Sequence, residues 1–251
     1  MANRAMPKNK AGTPGRKGSR GHVSAVVDIL GARISAGVYK EGETLPVEQE
    51  LAMALEVGRN SLREAVKVLS GKGLLSTAPR SGTKVRPREE WNMLDQHVLS
   101  WHADPEIASD SFMLDLIELR RIIEPKAAEL AATRATKEDV ANILAAYEAM
   151  ADSGSDPQRR LAADIEFHAA VLKASHNSVL PHFKYAIATY LKAHLNLGQE
   201  LEEDVDKEDL ERHHKIAWAI ASGKAKSAYS LTVEMLNLNR AHFPSEDAAK
   251  K

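Results

Sequence analysis

LPVEQELAMALEVGRNSLREAVKVLSGKGLL, from Leu45 to Leu75, is the stretch on which the fold turns. Pro46 opens a short helix from Val47 to about Glu56, Gly58 marks a turn, and a second helix follows from about Arg59 to Ser70. Leu51, Ala52 and Leu55 in the first helix recur at spacings of three and four. So do Leu62, Ala65, Val66 and Leu69 in the second, which predicts two apolar stripes packed on each other. Arg59, Asn60, Arg63 and Lys67 are left facing outward, with Ser61 on the first turn. Long and short hydrogen-bonding side chains at a helix N-terminus suit a reader of the DNA major groove. A solvated helix face would look the same in isolation, so the flanking chain decides between the two.

Upstream, Val23, Val26, Val27, Leu30 and Ile34 predict a helix from about His22 to Ala36, ended by Gly37. Downstream, Gly71 and Gly73 stop the recognition helix. Leu74–Ala78 and Thr83–Arg86 then read as strands around the turn Pro79-Arg80-Ser81-Gly82. Three helices and a hairpin over residues 22–88 make a winged helix-turn-helix. Residues 1–21 carry six basic side chains and no acidic one, and are expected to be a disordered basic tail.

The linker 89–109 holds Trp91, Leu94, Val98, Leu99 and Trp101, too apolar for a free tether, so a short helix packed on the second domain is expected. From 110 to 243 the apolar period is helical throughout. It predicts helices at about 111–133, 137–151, 157–176, 179–198, 205–222 and 224–241. Pro125 should kink the first of these, and residues 244–251 look frayed. The fold class is mainly α: an N-terminal winged helix-turn-helix plus a C-terminal antiparallel α-helical bundle.

Residues 1–88 contain 16 Lys/Arg against 7 Asp/Glu, and residues 89–251 contain 18 against 28, so a basic module is joined to an acidic body. There is no cysteine for disulfides or thiolate metal sites. No apolar run is long enough to span a membrane, and the N-terminus lacks the apolar segment of a signal peptide, so a cytoplasmic protein is expected.

LP-x-E-x-x-LA, R-x-x-LREA-x-x-L-x-x-x-GL and GT-x-V together resemble the winged-helix domain of the GntR family of bacterial transcription regulators. LRRIIEPKAAELAA (119–132), DIEFHAAVLKASHNSVL (164–180) and HHKIAWAIASGKAKSA (213–228) resemble the all-helical, FCD-type ligand-sensing domain of that family's FadR-like branch. WNMLDQHVLSW (91–101) further resembles the branch's sugar-acid regulators. The resemblance implies that Gln49, Arg59, Asn60, Ser61, Arg63, Lys67, Arg80 and Thr83 face operator DNA. Gln49 stands where many relatives carry Arg, and Arg80 where the wing usually carries Gly, so both are places where operator preference would differ.

Asp164 and His168 are spaced i, i+4 and share one helix face. The resemblance adds His213, and implies that these three with a fourth histidine hold a divalent ion, zinc, nickel, manganese or iron. The fourth position is occupied by Met235, a poor ligand for such an ion, and His214 competes with His213. The alternative is a polar pocket that contacts the effector directly. Arg120 is placed by resemblance to clamp an effector carboxylate, against a surface ion pair with Glu118, Glu124 or Asp115; Arg121 reads as surface. His182, His194, Asn196, Asn237 and Asn239 are expected to border the same cavity; each taken singly reads as structural, and some of them are expected to meet polyol hydroxyls.

The leading expectation is a dimeric, non-enzymatic regulator, a repressor released by a small carboxylate such as a sugar acid or hydroxy acid. Two other readings compete. One is a metal-dependent enzyme built on the two-histidine, one-carboxylate set, and the other an architectural DNA binder without effector.

Overall fold

A computed structural model describes residues 17–79, 81–154, 156–196 and 203–240. The side chains of 17–21, 196, 203–206, 239 and 240 fall outside it. Arg80, most of the expected basic tail and the expected C-terminal fray also lie outside the described residues. The chain divides into two compact units, Met1–Trp91 and Asn92–Lys251.

The first unit contains α1 (Lys17–Ser35), α2 (Glu48–Ala54), α3 (Arg59–Gly71), β1 (Leu75–Ala78) and β2 (Gly82–Val85). α1 begins five residues earlier than its apolar stripe required, inside the stretch read as tail. Val26, Val27, Leu30 and Ile34 of α1 are buried with Leu51 and Ala52 of α2 and with Leu62, Ala65 and Leu69 of α3. α3 packs against both α1 and α2, as the periodicity requires. β1 and β2 pair antiparallel with Leu75 opposite Val85 and Ala78 opposite Gly82, and Thr44 adds a single bridge to Lys84.

Trp91 corrects the expected linker: it belongs to the first unit, not the second. It is buried and its indole Nε1 donates to the carbonyl of Arg86 at 2.9 Å. Gly73 explains how the segment closes down there. Its φ is +84°, and a Cβ at this position would collide with the carbonyl oxygen of Glu90.

The second unit contains α4 (Gln96–Trp101), α5 (Asp110–Arg134), α6 (Lys137–Ala151), α7 (Pro157–Ala174), α8 (Lys184–Asn196), α9 (Glu203–Ala221) and α10 (Ala225–Arg240). A short 3-10 turn at Leu180–Phe183 leads into α8, where the period had suggested one continuous helix from 179. The starts are written in local chemistry. Asp95 accepts from the amides of His97 and Val98 at the head of α4. Thr136 and Asp139 form a reciprocal capping box on α6, and Asp156 with Pro157 opens α7. α4 packs on α8, and its Leu99 is buried in one cluster with Ala186, Ile187, Tyr190 and Leu191. α5 continues through Pro125 without ending. It packs against α7, α8, α9 and α10, and is therefore the helix around which the bundle is assembled.

Candidate functional site

Two sets of polar residues stand out, one on the surface of the first unit and one buried in the second. On the first, α3 begins after Gly58 with no side-chain cap, so its first-turn amides are left for another acceptor. Arg59, Asn60, Arg63 and Lys67 are exposed and Ser61 is half-buried. Arg63 Nε donates to Glu48 Oε2 of α2 at 2.6 Å, and Lys67 pairs with Glu64 at 2.8 Å. Gln49 is exposed on α2, and Thr83 is half-buried on β2 with its carbonyl accepting from the amide of Leu45. All of these are side chains that a polyanion could reach, and the Glu48 contact holds Arg63 at the junction of α2 and α3.

In the second unit, α5, α7 and α9 bring five ionisable side chains together. Asp164 and His168 come from α7, His213 from α9, and Arg120 and Glu124 from α5. Asp164 Oδ1 lies 3.2 Å from His168 Nε2 and 3.3 Å from His213 Nε2. Each imidazole is held from behind. His168 Nδ1 is 2.6 Å from Glu124 Oε2, and His213 Nδ1 is 2.8 Å from the backbone carbonyl of Asp209. A carboxylate and a carbonyl can only accept, so both rings carry their proton on Nδ1 and turn Nε2 toward Asp164. Phe167 meets both rings edge-on.

The electron pairs of Asp164 Oδ1, His168 Nε2 and His213 Nε2 therefore converge, and Asp164 Oδ1 and His213 Nε2 have no hydrogen-bond partner. Acceptors aimed at one another in a buried space require a cation between them. Without a metal that cation is a proton. Burial opposes the charged form of His168, but Glu124 and Asp164 outweigh it and raise its pKa to about 9. His213 is raised too: burial opposes its charge, and Asp209 and Asp164 prevail. Burial would lift Asp164, yet the two histidines beside it hold it well below the usual range. Three ligand atoms within 4.8 Å of one another, each histidine oriented by an acceptor on Nδ1, also match what a divalent ion requires.

Arg120 forms one of its expected ion pairs, but inside the bundle and not on its surface. Nε donates to Glu124 Oε1 at 2.5 Å with both side chains buried, and the guanidinium lies 4.7 Å from the Tyr190 ring centroid. Its Nη2 reaches His168 Nε2 at 3.4 Å, and Nη1 has no partner. Glu124, Tyr190 and Asp209 are the members that sequence reasoning missed. The only signal was an acid four residues after Arg120, which was read as surface. His214 is exposed against Tyr147, so His213 is the inward member of the pair.

Among the described residues, the space at the buried cluster is small. The void beside Glu124, His168 and Met235 is about 10 Å³, room for one water-sized body. His182 is exposed on the 3-10 turn along an outer groove of α6, α7 and α8, and Asn237 is exposed. His194 stacks on Tyr190. The side chains of Asn196 and Asn239 lie outside the described residues. Met235 is buried at the wall of the small void.

The model for bacterial regulatory proteins of the gntR family matches residues 22–85, and the model for the FCD domain matches residues 115–238. The galactonate operon transcriptional repressor of Escherichia coli (strain K12) is 35% identical over 201 residues, 75% of this chain and 86% of that protein. The chain belongs to the GntR family. The E. coli regulator YieP is 34% identical over 216 residues, covering 84% of this chain and 90% of its own. The solved structure of Lar from Listeria monocytogenes aligns with a TM-score of 0.57 at 18% identity, over 92% of this chain and 96% of that one, and supports the fold. This GntR-family member is a DNA-binding transcription regulator with a helical FCD domain, and the enzyme reading of its buried cluster is set aside. Among the described residues no helix is long and apolar enough to cross a membrane.

Proposed function

We propose that this regulator acts as a cytoplasmic homodimer on a two-fold operator. Arg59, Asn60, Ser61 and Arg63 enter the major groove, with Gln49, Lys67, Arg80 and Thr83 on flanking backbone or base edges. A small carboxylate in the FCD domain releases repression. The observation that carries this is the buried cluster: an arginine with an unpartnered Nη1 beside two histidines and an aspartate whose lone pairs converge. With a divalent ion held by Asp164, His168 and His213, the charges of Asp164, Glu124 and Arg120 leave one positive charge in excess. A single carboxylate neutralises that charge. Such an ion would supply Lewis-acid coordination for the carboxylate, and Arg120 would orient it. The likeness to a galactonate operon repressor supports a sugar acid and repression. The small void means that the ligand enters only if α5, α7 and α9 part, which is how binding would favour one arrangement of the protein over another.

Met235 favours a second reading, in which the cluster takes the carboxylate with protons in place of the metal. Elemental analysis of untagged protein separates the two. A thermal-shift screen of aldonic, uronic and hydroxy acids, with and without zinc or manganese, followed by gel-shift release from the operator, tests the whole. If no acid moves either the melting temperature or the DNA complex, the reading fails.

A further inference from the structure

Both carboxylate oxygens of Glu124 lie against functional groups, Oε1 in a hydrogen bond and Oε2 in a close ion-pair contact off the line of a hydrogen bond. Oε1 accepts from Arg120 Nε at 2.5 Å, and Oε2 is 2.6 Å from His168 Nδ1. The residue is buried, lies on the helix that contacts α7, α8 and α9, and is followed directly by Pro125. Fixing Arg120 through Nε turns the Nη edge of the guanidinium toward His168, where Nη2 stands 3.4 Å from Nε2. Fixing His168 through Nδ1 turns Nε2 toward Asp164. One side chain therefore aims a cation clamp and a metal-ligand nitrogen at the same small space.

The geometry points to Glu124 as the positioning residue of the effector site: it sets the proton position of His168 and the direction of Arg120 together, so that metal and carboxylate are received side by side. This rests on the proposed metal-and-carboxylate function of the cluster. The physical reason is the acceptor count. A carboxylate accepts from both partners at once, whereas a glutamine amide has one accepting and one donating end. After Glu124→Gln, the amide satisfies Arg120 only by offering its N–H to His168 Nδ1. That moves the ring proton to Nε2, onto the atom that faces Asp164.

Three variants and two readouts test this. Cobalt(II) affinity is measured by chelator competition on wild type, Glu124→Gln, Arg120→Met and the double variant. The proton position on His168 is read by nitrogen-15 NMR of the chelator-treated proteins at a pH above about 9, where the ring carries a single proton. Glu124→Gln is expected to bind cobalt roughly 10–100-fold more weakly and to shift the ring proton from Nδ1 to Nε2. Arg120→Met is expected to lose less cobalt affinity than Glu124→Gln, to keep the Nδ1 proton, and to lose the added affinity that galactonate or lactate confers. The double variant removes both charges and keeps the site testable if Glu124→Gln unfolds; it is expected to lose cobalt like the single. Wild-type cobalt affinity in both proteins that carry Glu124→Gln would overturn the assignment. So would an unmoved ring proton, or equal losses from Arg120→Met and Glu124→Gln. If cobalt binds none of the proteins, the metal reading fails, and the NMR arm alone decides the role of Glu124.

Discussion

Stripped of metal, the bundle should lose stability as the pH rises from about 6.5 to 9, because His168 is charged in the fold. Its pKa stands at about 9 against an ordinary value of 6.5, raised by Glu124 and Asp164 against the opposing effect of burial. A group whose folded pKa is raised contributes stability that is complete below the unfolded value and is lost as pH climbs through the folded value. At about 1.4 kcal/mol per pH unit, the shift corresponds to at most about 3 to 4 kcal/mol. At roughly 2 to 4 °C per kcal/mol for a domain of this size, the melting temperature should fall by up to about 15 °C across that window. Differential scanning calorimetry of chelator-treated protein at half-unit pH steps measures it. His168→Gln serves as reference, because a neutral amide keeps the polar contacts without the titration, and the difference between the two profiles isolates His168. Parallel profiles would refute the reasoning, since the raised pKa requires the slopes to diverge. Loading with zinc should flatten the wild-type profile, because a coordinated imidazole has no proton to lose.

Arg63→Ala should cost about 1–3 kcal/mol on the native operator and relax one base preference, by gel-shift titration, while Lys67→Ala should weaken all sequences alike and reduce the salt slope by about one. Asp139 is held at about 2 by the Thr136 hydroxyl and amide and by His176, so Asp139→Ala should remove about 1–2 kcal/mol at neutral pH, measured by urea denaturation. Its folded pKa is lowered, so this contribution is present above about pH 4 and lost as pH falls toward 2; the variant and wild type should converge in acid. Gly73→Ala should destabilise the first unit by at least about 1–2 kcal/mol, since the new methyl meets the Glu90 carbonyl at a positive φ; an unchanged unfolding midpoint would contradict the packing described.

The sequence by itself determined the elements, the winged module and the identity of α3 as the exposed basic helix. Those features rest on local periods: the stripe Leu62-Ala65-Leu69 is legible because its members lie within a few residues of one another. It also placed Asp164 and His168 on one face, because i, i+4 spacing is a property of the helix alone. Only the tertiary structure decided that Arg120 and Glu124 are buried together, that Trp91 closes onto the first unit, and that the void beside Glu124, His168 and Met235 is about 10 Å³. An Arg and a Glu four residues apart look like an ordinary surface pair in any sequence. Whether such a pair faces water or two imidazoles depends on how α5 is rotated against α7 and α9, and that rotation is set by side-chain packing summed over the whole bundle.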